Sequence, residues 1–249
     1  MQEQDQRKGL AARLNLGVPW DLARTFLVAA VLIVLYRFGC GESFYNAQVK
    51  PLLGVGKGFL FGLGHNPWRG VSTFVVLLVV PLLFARLVER RPVSEVGFAV
   101  GDWQKGIKWG GIFLAVMIPV IIAVSFTKTF SGKYPLNAAA GRSIEALFVY
   151  ELSMLLYFFG WEFYFRGYFL FSLERHIGSA AVFVQMVPFA VLHGNKPFAE
   201  AMAAIFTGTV LGYFALRTRT FLYCAIVHFL CSLSMDLAAL VQKGKLPGF

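Results

Sequence analysis

Charged residues are scarce in this sequence of 249 residues, in which Asp, Glu, Lys and Arg together make up 14%. A soluble domain averages about 25% charged residues, so this chain has too few of them for an ordinary water-facing surface. Hydrophobic residues make up 57%. The composition excludes a soluble globular enzyme, a disordered chain and a nucleic-acid binder with a basic, water-facing domain. It predicts a membrane protein whose main partner is the lipid bilayer.

Cysteine is also rare, with Cys40, Cys224 and Cys231 as its three occurrences. The number is odd and no pair forms a Cys-x-x-Cys pattern, so the sequence supports neither a disulfide framework nor a thiolate metal site. Cys224 and Cys231 lie in an apolar stretch, where cysteine is usually a small buried hydrophobic residue. We expect no metal and no cofactor.

Long uncharged stretches organise the chain. Six of them contain no Asp, Glu, Lys or Arg, and with their flanks most approach the roughly 20 residues that a spanning helix needs. They are residues 25–36, 70–85, 109–127, 177–195, 201–216 and 220–235. A seventh stretch, about 143–173, is equally apolar but carries ionisable residues, namely Glu145, Glu151, Glu162 and Arg166. None of these stretches shows the alternating polarity of β-barrel strands.

The sequence therefore predicts an all-α polytopic membrane protein. About seven transmembrane helices, with room for an eighth, are expected to form one bundle around a polar intramembrane cavity. The Gly-rich segment 44–68 is too polar to span and favours an interfacial or re-entrant structure. No internal repeat or linker divides the chain, so residues 1–249 form a single domain. The basic residues of segment 1–18 favour a cytoplasmic or interfacial tail.

The seventh stretch contains the motif FFGWEFYFRGYFLF, in which Glu162 and Arg166 are four residues apart. Residues at this spacing are neighbours on one helix face. Ionisable groups inside a spanning helix are costly and are functional candidates by default. A buried ion pair that only fixes helix packing explains these two residues equally well.

Two further motifs favour chemistry over packing. The segment PFAVLHGNKP places Phe189 and His193 one turn apart, and AIVHFLCSLSMD places His228, Ser232 and Asp236 along one helix stripe. A lone histidine in an apolar helix is more often a core residue than a catalyst. Here two histidines lie in different spans together with an intramembrane glutamate. A carboxylate and two imidazoles facing one cavity can activate water and stabilise an oxyanion. The same groups can ligate Zn²⁺, although no His-Glu-x-x-His motif supports that.

These motifs, in this order, resemble the CPBP family, also called Abi, of CAAX-prenyl endopeptidases and bacteriocin-processing proteins. The resemblance consists of Glu-x-x-x-Arg-Gly at Glu162 to Gly167, Phe-x-x-x-His at Phe189 and His193, and His228 near the start of the last span. It covers about residues 143–240. It implies an intramembrane glutamate protease that needs no metal and acts on a protein substrate with an apolar helix near the cleavage site.

As an intramembrane peptidase without metal, the chain would use these residues in the following roles. Glu162, with His193, would deprotonate a water molecule. His228, helped by Ser232 or Asp236, would stabilise the oxyanion. Arg166 would keep Glu162 ionised and oriented.

The chain departs from the usual family pattern at two positions. Trp161 stands where the family usually has a first glutamate, and Ser232 stands where it usually has an asparagine. A single glutamate is expected in the myxosortase-like members, which the segments around Glu162, Lys196 and Glu200 also resemble. Those proteins are thought to cleave C-terminal sorting segments of exported proteins. This resemblance implies an integral multi-pass protein of the bacterial inner (cytoplasmic) membrane.

Two alternatives remain open at this point. One is a non-catalytic chaperone, scaffold or transporter-type protein of the same fold, and the other is a zinc-dependent peptidase that uses the same residues. Glu151 lies three turns before Glu162 on nearly the same face, where it either lines the cavity or, as we slightly favour, pairs with a loop cation. Ala204, Gly208 and Gly212 form a stripe of small residues typical of a helix-packing face.

Overall fold

A computed structural model of the protein describes residues 17–56 and 58–248. These residues form helices and no strands, as expected. We number the helices α1 (Trp20–Gly39), α2 (42–53), α3 (His65–Val88), α4 (Trp103–Ser125), α5 (Lys128–Lys133), α6 (144–177), α7 (Ala181–Val191), α8 (Phe198–Thr218) and α9 (Leu222–Gln242). Most of the expected N-terminal tail, residues 1–16, lies outside the described residues.

The expected count of seven or eight transmembrane helices is not confirmed. Six helical stretches of the described chain are long and apolar enough to cross a membrane, and one of them, Ile144–Val191, contains 48 residues. This stretch joins two spans that the sequence separates at Gly178. Gly178 has a φ of 57°, a backbone conformation that favours glycine. The chain folds back there, because the guanidinium of Arg166 on α6 lies 3.9 Å from the ring of Phe189 on α7. The segment 44–68 contributes α2 and a short turn, Phe59–Gly62, rather than a span.

Helix α6 occupies the centre of the bundle. Half of the residues in the apolar part of its stretch are buried inside the protein, compared with 11% in α4 and 17% in α1. It packs against α3 at two glycines that allow the backbones to approach closely. A Cβ atom at Gly160 would lie 2.6 Å from the carbonyl oxygen of Thr73, and one at Gly70 would collide with the carbonyl oxygen of Ser153. Side chains in the middle of α6 are therefore removed from lipid.

Helices α7 and α8 pack against each other through the predicted stripe of small residues. Ala204, Gly208 and Gly212 are buried. A Cβ atom at Gly212 would lie 2.8 Å from Val182, and one at Gly208 would lie 3.0 Å from the ring of Phe189. This close packing brings the end of α7, which precedes His193, against the centre of the bundle.

Candidate active site

Glu162 and Arg166 form an ion pair inside α6. Nη1 of Arg166 lies 3.0 Å from Oε1 of Glu162, and both side chains are fully buried. The helix changes to π-helical geometry immediately after Glu162, over Phe163–Phe169. Single π-helical turns of this kind occur frequently at functional sites. The predicted contact between the two residues is thus present.

The guanidinium group of Arg166 is held by neighbours beyond Glu162. Its Cζ atom lies 3.9 Å from the centre of the Phe189 ring, a cation–π contact. Nη2 donates a longer hydrogen bond, of 3.4 Å, to the carbonyl oxygen of Gly208 on α8. Arg166 therefore connects α6, α7 and α8 at one point.

His228 on α9 binds the same carboxylate oxygen as Arg166. Its Nδ1 atom lies 2.6 Å from Oε1 of Glu162. An ionised carboxylate only accepts hydrogen bonds, so Nδ1 of His228 carries a hydrogen and donates this hydrogen bond to Glu162. The ring packs on Phe158, with 4.3 Å between centroids, and the side chain keeps 20% of its surface exposed. Its second nitrogen, Nε2, is therefore the one left to act on other groups.

His193 lies in the turn that follows α7, two residues beyond the span. Its Nδ1 atom lies 2.7 Å from the carbonyl oxygen of Phe189. Since a carbonyl oxygen only accepts, Nδ1 is again the donor, and Nε2 is the acceptor of a neutral ring. The imidazoles of His193 and His228 both contact the ring of Phe189, with centroid distances of 4.5 Å and 6.2 Å. The structure thus brings Arg166, His193 and His228 around Phe189, and Arg166 and His228 both bind Glu162.

Trp161, which replaces the usual first glutamate, faces a different histidine from Glu162. Its indole lies edge-on to the ring of His193, at 6.2 Å, and stacks on Tyr157 at 5.6 Å. Glu162, one position later, points at His228. Position 161 therefore faces His193 and position 162 faces His228, and in this chain the residue that faces His193 is aromatic rather than acidic.

Ser232 and Asp236 follow His228 along α9 but lie at increasing distance from Glu162. Ser232 is one turn beyond His228, and Asp236 is two turns beyond it, ~12 Å along the helix axis. Both are buried. The Asp236 carboxylate interacts electrostatically with Lys196 and Glu200 and with Tyr150 and Glu151 of α6. Ser232 thus follows His228 within one turn of α9, whereas Asp236 lies a further turn away.

Glu151 does not form the loop ion pair that the sequence favoured. Both of its carboxylate oxygens are buried and without a hydrogen-bond partner among the described residues. Its neighbour is instead Asp236, another buried acid. This convergence has no sequence signal, because Glu151 and Asp236 come from different helices.

Three residues, Tyr134, Lys196 and Glu200, form a group of hydrogen bonds that holds the turn carrying His193. We call this group the Tyr134 latch. Nζ of Lys196 donates to the hydroxyl of Tyr134 at 2.6 Å, and that hydroxyl donates to the carboxylate of Glu200 at 2.7 Å. Burial and the Glu200 carboxylate raise the pKa of Tyr134, so the phenol stays protonated. Sequence reasoning missed Tyr134, although the i, i+4 spacing of Lys196 and Glu200 indicates an ion pair, which is present at 3.1 Å.

In the part of the chain that the structure describes, no three His, Cys, Asp or Glu side chains are grouped so that they could hold a metal ion. The chemistry-bearing groups at the centre of the bundle are a carboxylate, a guanidinium and two imidazoles. Such a set can accept a proton from water, donate one to a leaving group and stabilise a negative oxygen atom.

Comparison with known families agrees with this arrangement. Residues 143–234 match the Rce1-like family. Its description is type II CAAX prenyl endopeptidase Rce1-like, and the matched segment contains Glu162, Arg166, His193, His228 and Ser232. The match confirms the resemblance to CAAX-prenyl endopeptidases and does not distinguish the myxosortase-like branch. No curated protein and no solved structure matches the chain.

The Rce1-like family is a peptidase family, so the match supports protease activity in general. Together with the six apolar helices it indicates an integral membrane protein. At the level of the family, the activity that this supports is that of a CAAX-type intramembrane protease.

Proposed function

We propose that this protein is an intramembrane endopeptidase of the glutamate type, which hydrolyses a peptide bond with water activated by histidine and glutamate. The observation that carries the proposal is the buried carboxylate of Glu162, which is bound by both Arg166 and His228. His193 lies close by, because its ring packs on Phe189, which Arg166 and His228 also contact. A buried carboxylate with two basic partners has little value as packing, because apolar residues of similar size stabilise a core as well or better.

His193 is the proposed proton acceptor. Its Nδ1–H is occupied by the carbonyl oxygen of Phe189, so Nε2 can take a proton from water as the water oxygen attacks the substrate carbonyl carbon. The same Nε2–H then donates that proton to the departing amine. The reaction consumes one water molecule and leaves the enzyme in its starting protonation state.

His228 is the proposed oxyanion partner. Its Nδ1–H is directed at Glu162, so in the imidazolium form Nε2–H can donate to the negative oxygen of the tetrahedral intermediate. Ser232, one turn further along α9, is placed to supply a second donor. Arg166 compensates the charge of the buried carboxylate and fixes its orientation.

Glu162 can act in two ways in this scheme. Its side chain is fully buried, which favours an action through His228. Its Oε2 atom has no hydrogen-bond partner among the described residues, and this favours a direct role as base on a water molecule that enters between the helices. The two roles make different predictions for a double variant.

The substrate that we propose is a membrane-anchored protein of the exported class, cleaved in a C-terminal sorting or anchor segment next to an apolar helix. The proposal rests on the single glutamate of the motif and on the segments around Lys196 and Glu200, which are similar to myxosortase-like proteins. On the same ground we propose the bacterial inner membrane as its location.

The test is cleavage of a peptide with an apolar helix and a basic tail, by purified protein in liposomes. His193→Ala and His228→Ala are each expected to lower the single-turnover rate by about 10²-fold or more, while the proteins remain folded. A wild-type rate in either variant would remove that histidine from the mechanism, and no cleavage by the wild-type protein itself would support a non-catalytic membrane protein instead. If Glu162 acts only through His228, the double variant Glu162→Gln/His228→Ala is no slower than His228→Ala. If Glu162 acts on water directly, the two losses multiply.

A further inference from the structure

A polar cavity lies beside α2, apart from the proposed reaction centre. Its volume is about 290 Å³, at the lower end of the range for small-molecule sites in proteins. The described residues that line it include none of those proposed for catalysis. The side chains that line it are Glu42, Tyr45, Asn46, Lys50, His65 and Asn137. The cavity therefore combines acidic, basic and neutral polar groups.

Two helices supply the charged groups of the cavity. Glu42, Asn46 and Lys50 follow one another at intervals of four along α2, so they share one helix face. His65 begins α3 and approaches α2, with its Nε2 atom 3.9 Å from Oε2 of Glu42. The Glu42 side chain keeps 63% of its surface exposed, so its carboxylate is free to accept further hydrogen bonds.

Donor groups of the cavity are left without acceptors. Tyr45 is 5% exposed, and its hydroxyl forms no hydrogen bond with the described residues. The ammonium group of Lys50 likewise has no acceptor in the described part of the chain. Asn137 is held in place, because its Nδ2 atom donates to Oδ1 of Asn66 at 2.8 Å. Since buried polar groups are almost always hydrogen-bonded, these donors indicate a ligand with acceptor atoms.

The charges of the cavity indicate a ligand that carries both signs. The Lys50 ammonium group only donates hydrogen bonds, the Tyr45 hydroxyl can donate one, and an ionised Glu42 only accepts. The oxygen atoms of a phosphate group would satisfy Lys50 and Tyr45, whereas a cationic N–H donor would satisfy Glu42. A phosphate ester of ethanolamine carries both groups, joined by a short carbon chain.

The position of the cavity favours a lipid as the source of this group. Helix α2 connects α1 to α3, two helices that are long and apolar enough to span a membrane, so α2 lies at one membrane surface. The ring of Phe44 on α2 stacks on the indole of Trp68, with 5.9 Å between centroids, and tryptophan is enriched at membrane interfaces. Leu52 and Leu53, at the end of α2, are 87% and 55% exposed. Exposed apolar side chains at such a surface are suited to contact acyl chains.

We propose that this cavity binds the headgroup of phosphatidylethanolamine, with the phosphate at Lys50 and Tyr45 and the ammonium group at Glu42. Basic pockets beside membrane-spanning helices are suited to lipid headgroups, and the carboxylate of Glu42 adds selectivity for a headgroup with N–H donors. Phosphatidylcholine carries the same phosphate, but its trimethylammonium group has no N–H to donate. The site is independent of the proposed peptidase activity.

The test is lipid binding to the full chain in detergent, measured by native mass spectrometry with phosphatidylethanolamine and phosphatidylcholine of the same acyl chains. Wild-type protein is expected to bind phosphatidylethanolamine at least about tenfold more tightly, the scale of a hydrogen bond to a charged group. Glu42→Gln is expected to remove this preference, and Lys50→Gln is expected to weaken the binding of both lipids. Glu145→Gln and Lys128→Gln change exposed residues at the starts of α6 and α5. They are the matched controls and are expected to bind as the wild type does.

Two results would overturn the site: equal affinities for the two lipids in the wild-type protein, or a preference that is unchanged in Glu42→Gln. The wild-type comparison decides the question even if a variant fails to fold. Soluble phosphoethanolamine, added in excess to the lipid complex, tests the source of the headgroup. The lipid is expected to stay bound, because its acyl chains also contact the protein. Displacement would assign the cavity to a soluble phosphate ester and contradict the lipid proposal.

Discussion

Nδ1 of His228 and Oε1 of Glu162 lie 2.6 Å apart, although 66 positions separate the two residues in the chain. Arg166 binds the same oxygen atom from within α6. One carboxylate oxygen thus collects a local partner and a distant one, and the other oxygen is left without a partner. The two oxygens of Glu162 therefore differ in their surroundings.

Glu162→Gln is expected to lower the single-turnover cleavage rate by about 10²-fold or more, because the amide keeps the volume but can neither take up a proton nor hold a charged His228. Glu151→Gln is expected to cost far less. Glu145→Gln serves as the exposed control on the same helix. A fully active Glu162→Gln protein together with an inactive Glu151→Gln protein would place the reaction centre three turns away from where we put it.

Arg166→Lys is expected to give a rate between those of the wild type and Glu162→Gln. The positive charge is kept, but the planar group that contacts Glu162, the Gly208 carbonyl and the Phe189 ring together is lost. The measurement is the same single-turnover assay, with thermal unfolding recorded in parallel. A rate equal to that of the wild type would show that charge alone, without orientation, is sufficient.

Tyr134→Phe is expected to reduce the turnover number by about tenfold, because the hydroxyl binds both Lys196 and Glu200 and so ties the turn that carries His193 to the segment before α6. Small displacements of a catalytic group cost large factors in rate. Tyr213→Phe removes an exposed hydroxyl on α8 and is the control. Equal turnover numbers for the two variants would mean that the Tyr134 latch does not position His193.

Activity is expected to survive treatment with EDTA or phenanthroline. In the proposed mechanism the imidazole of His193 accepts the proton from water and that of His228 stabilises the oxyanion, so no metal ion is needed. The assay compares treated and untreated protein on one peptide. Loss of activity that added Zn²⁺ restores would move the protein to the metallopeptidases.

Local features of the site were predictable from the sequence. The four-residue spacing of Glu162 and Arg166 fixes their contact, since both lie on one helix and no other element is needed to bring them together. The stripe of Ala204, Gly208 and Gly212 likewise predicts the face on which α8 packs. In both cases the helical period alone determines the geometry.

Contacts between helices were not predictable in the same way. The rotation of α6 relative to α9 decides that Glu162 meets His228. No spacing in one sequence encodes it. The count of seven or eight spans is not confirmed, and it depends on how the 48-residue stretch Ile144–Val191, which folds back at Gly178, crosses the membrane. The pairing of Glu151 with Asp236 depends on the same interhelical register.

The position of Glu162 and Arg166 within a single helix also matters for how the protein is made. A lone charge at the centre of a spanning segment opposes its transfer into the bilayer by a few kcal/mol. Here the opposite charge lies one turn away on the same segment, so α6 carries its own neutralising partner at the moment of insertion and does not have to wait for α8 or α9. The helix that holds Glu162 can therefore enter the membrane before the segments that carry His193 and His228, and the two histidines join it as those later segments assemble.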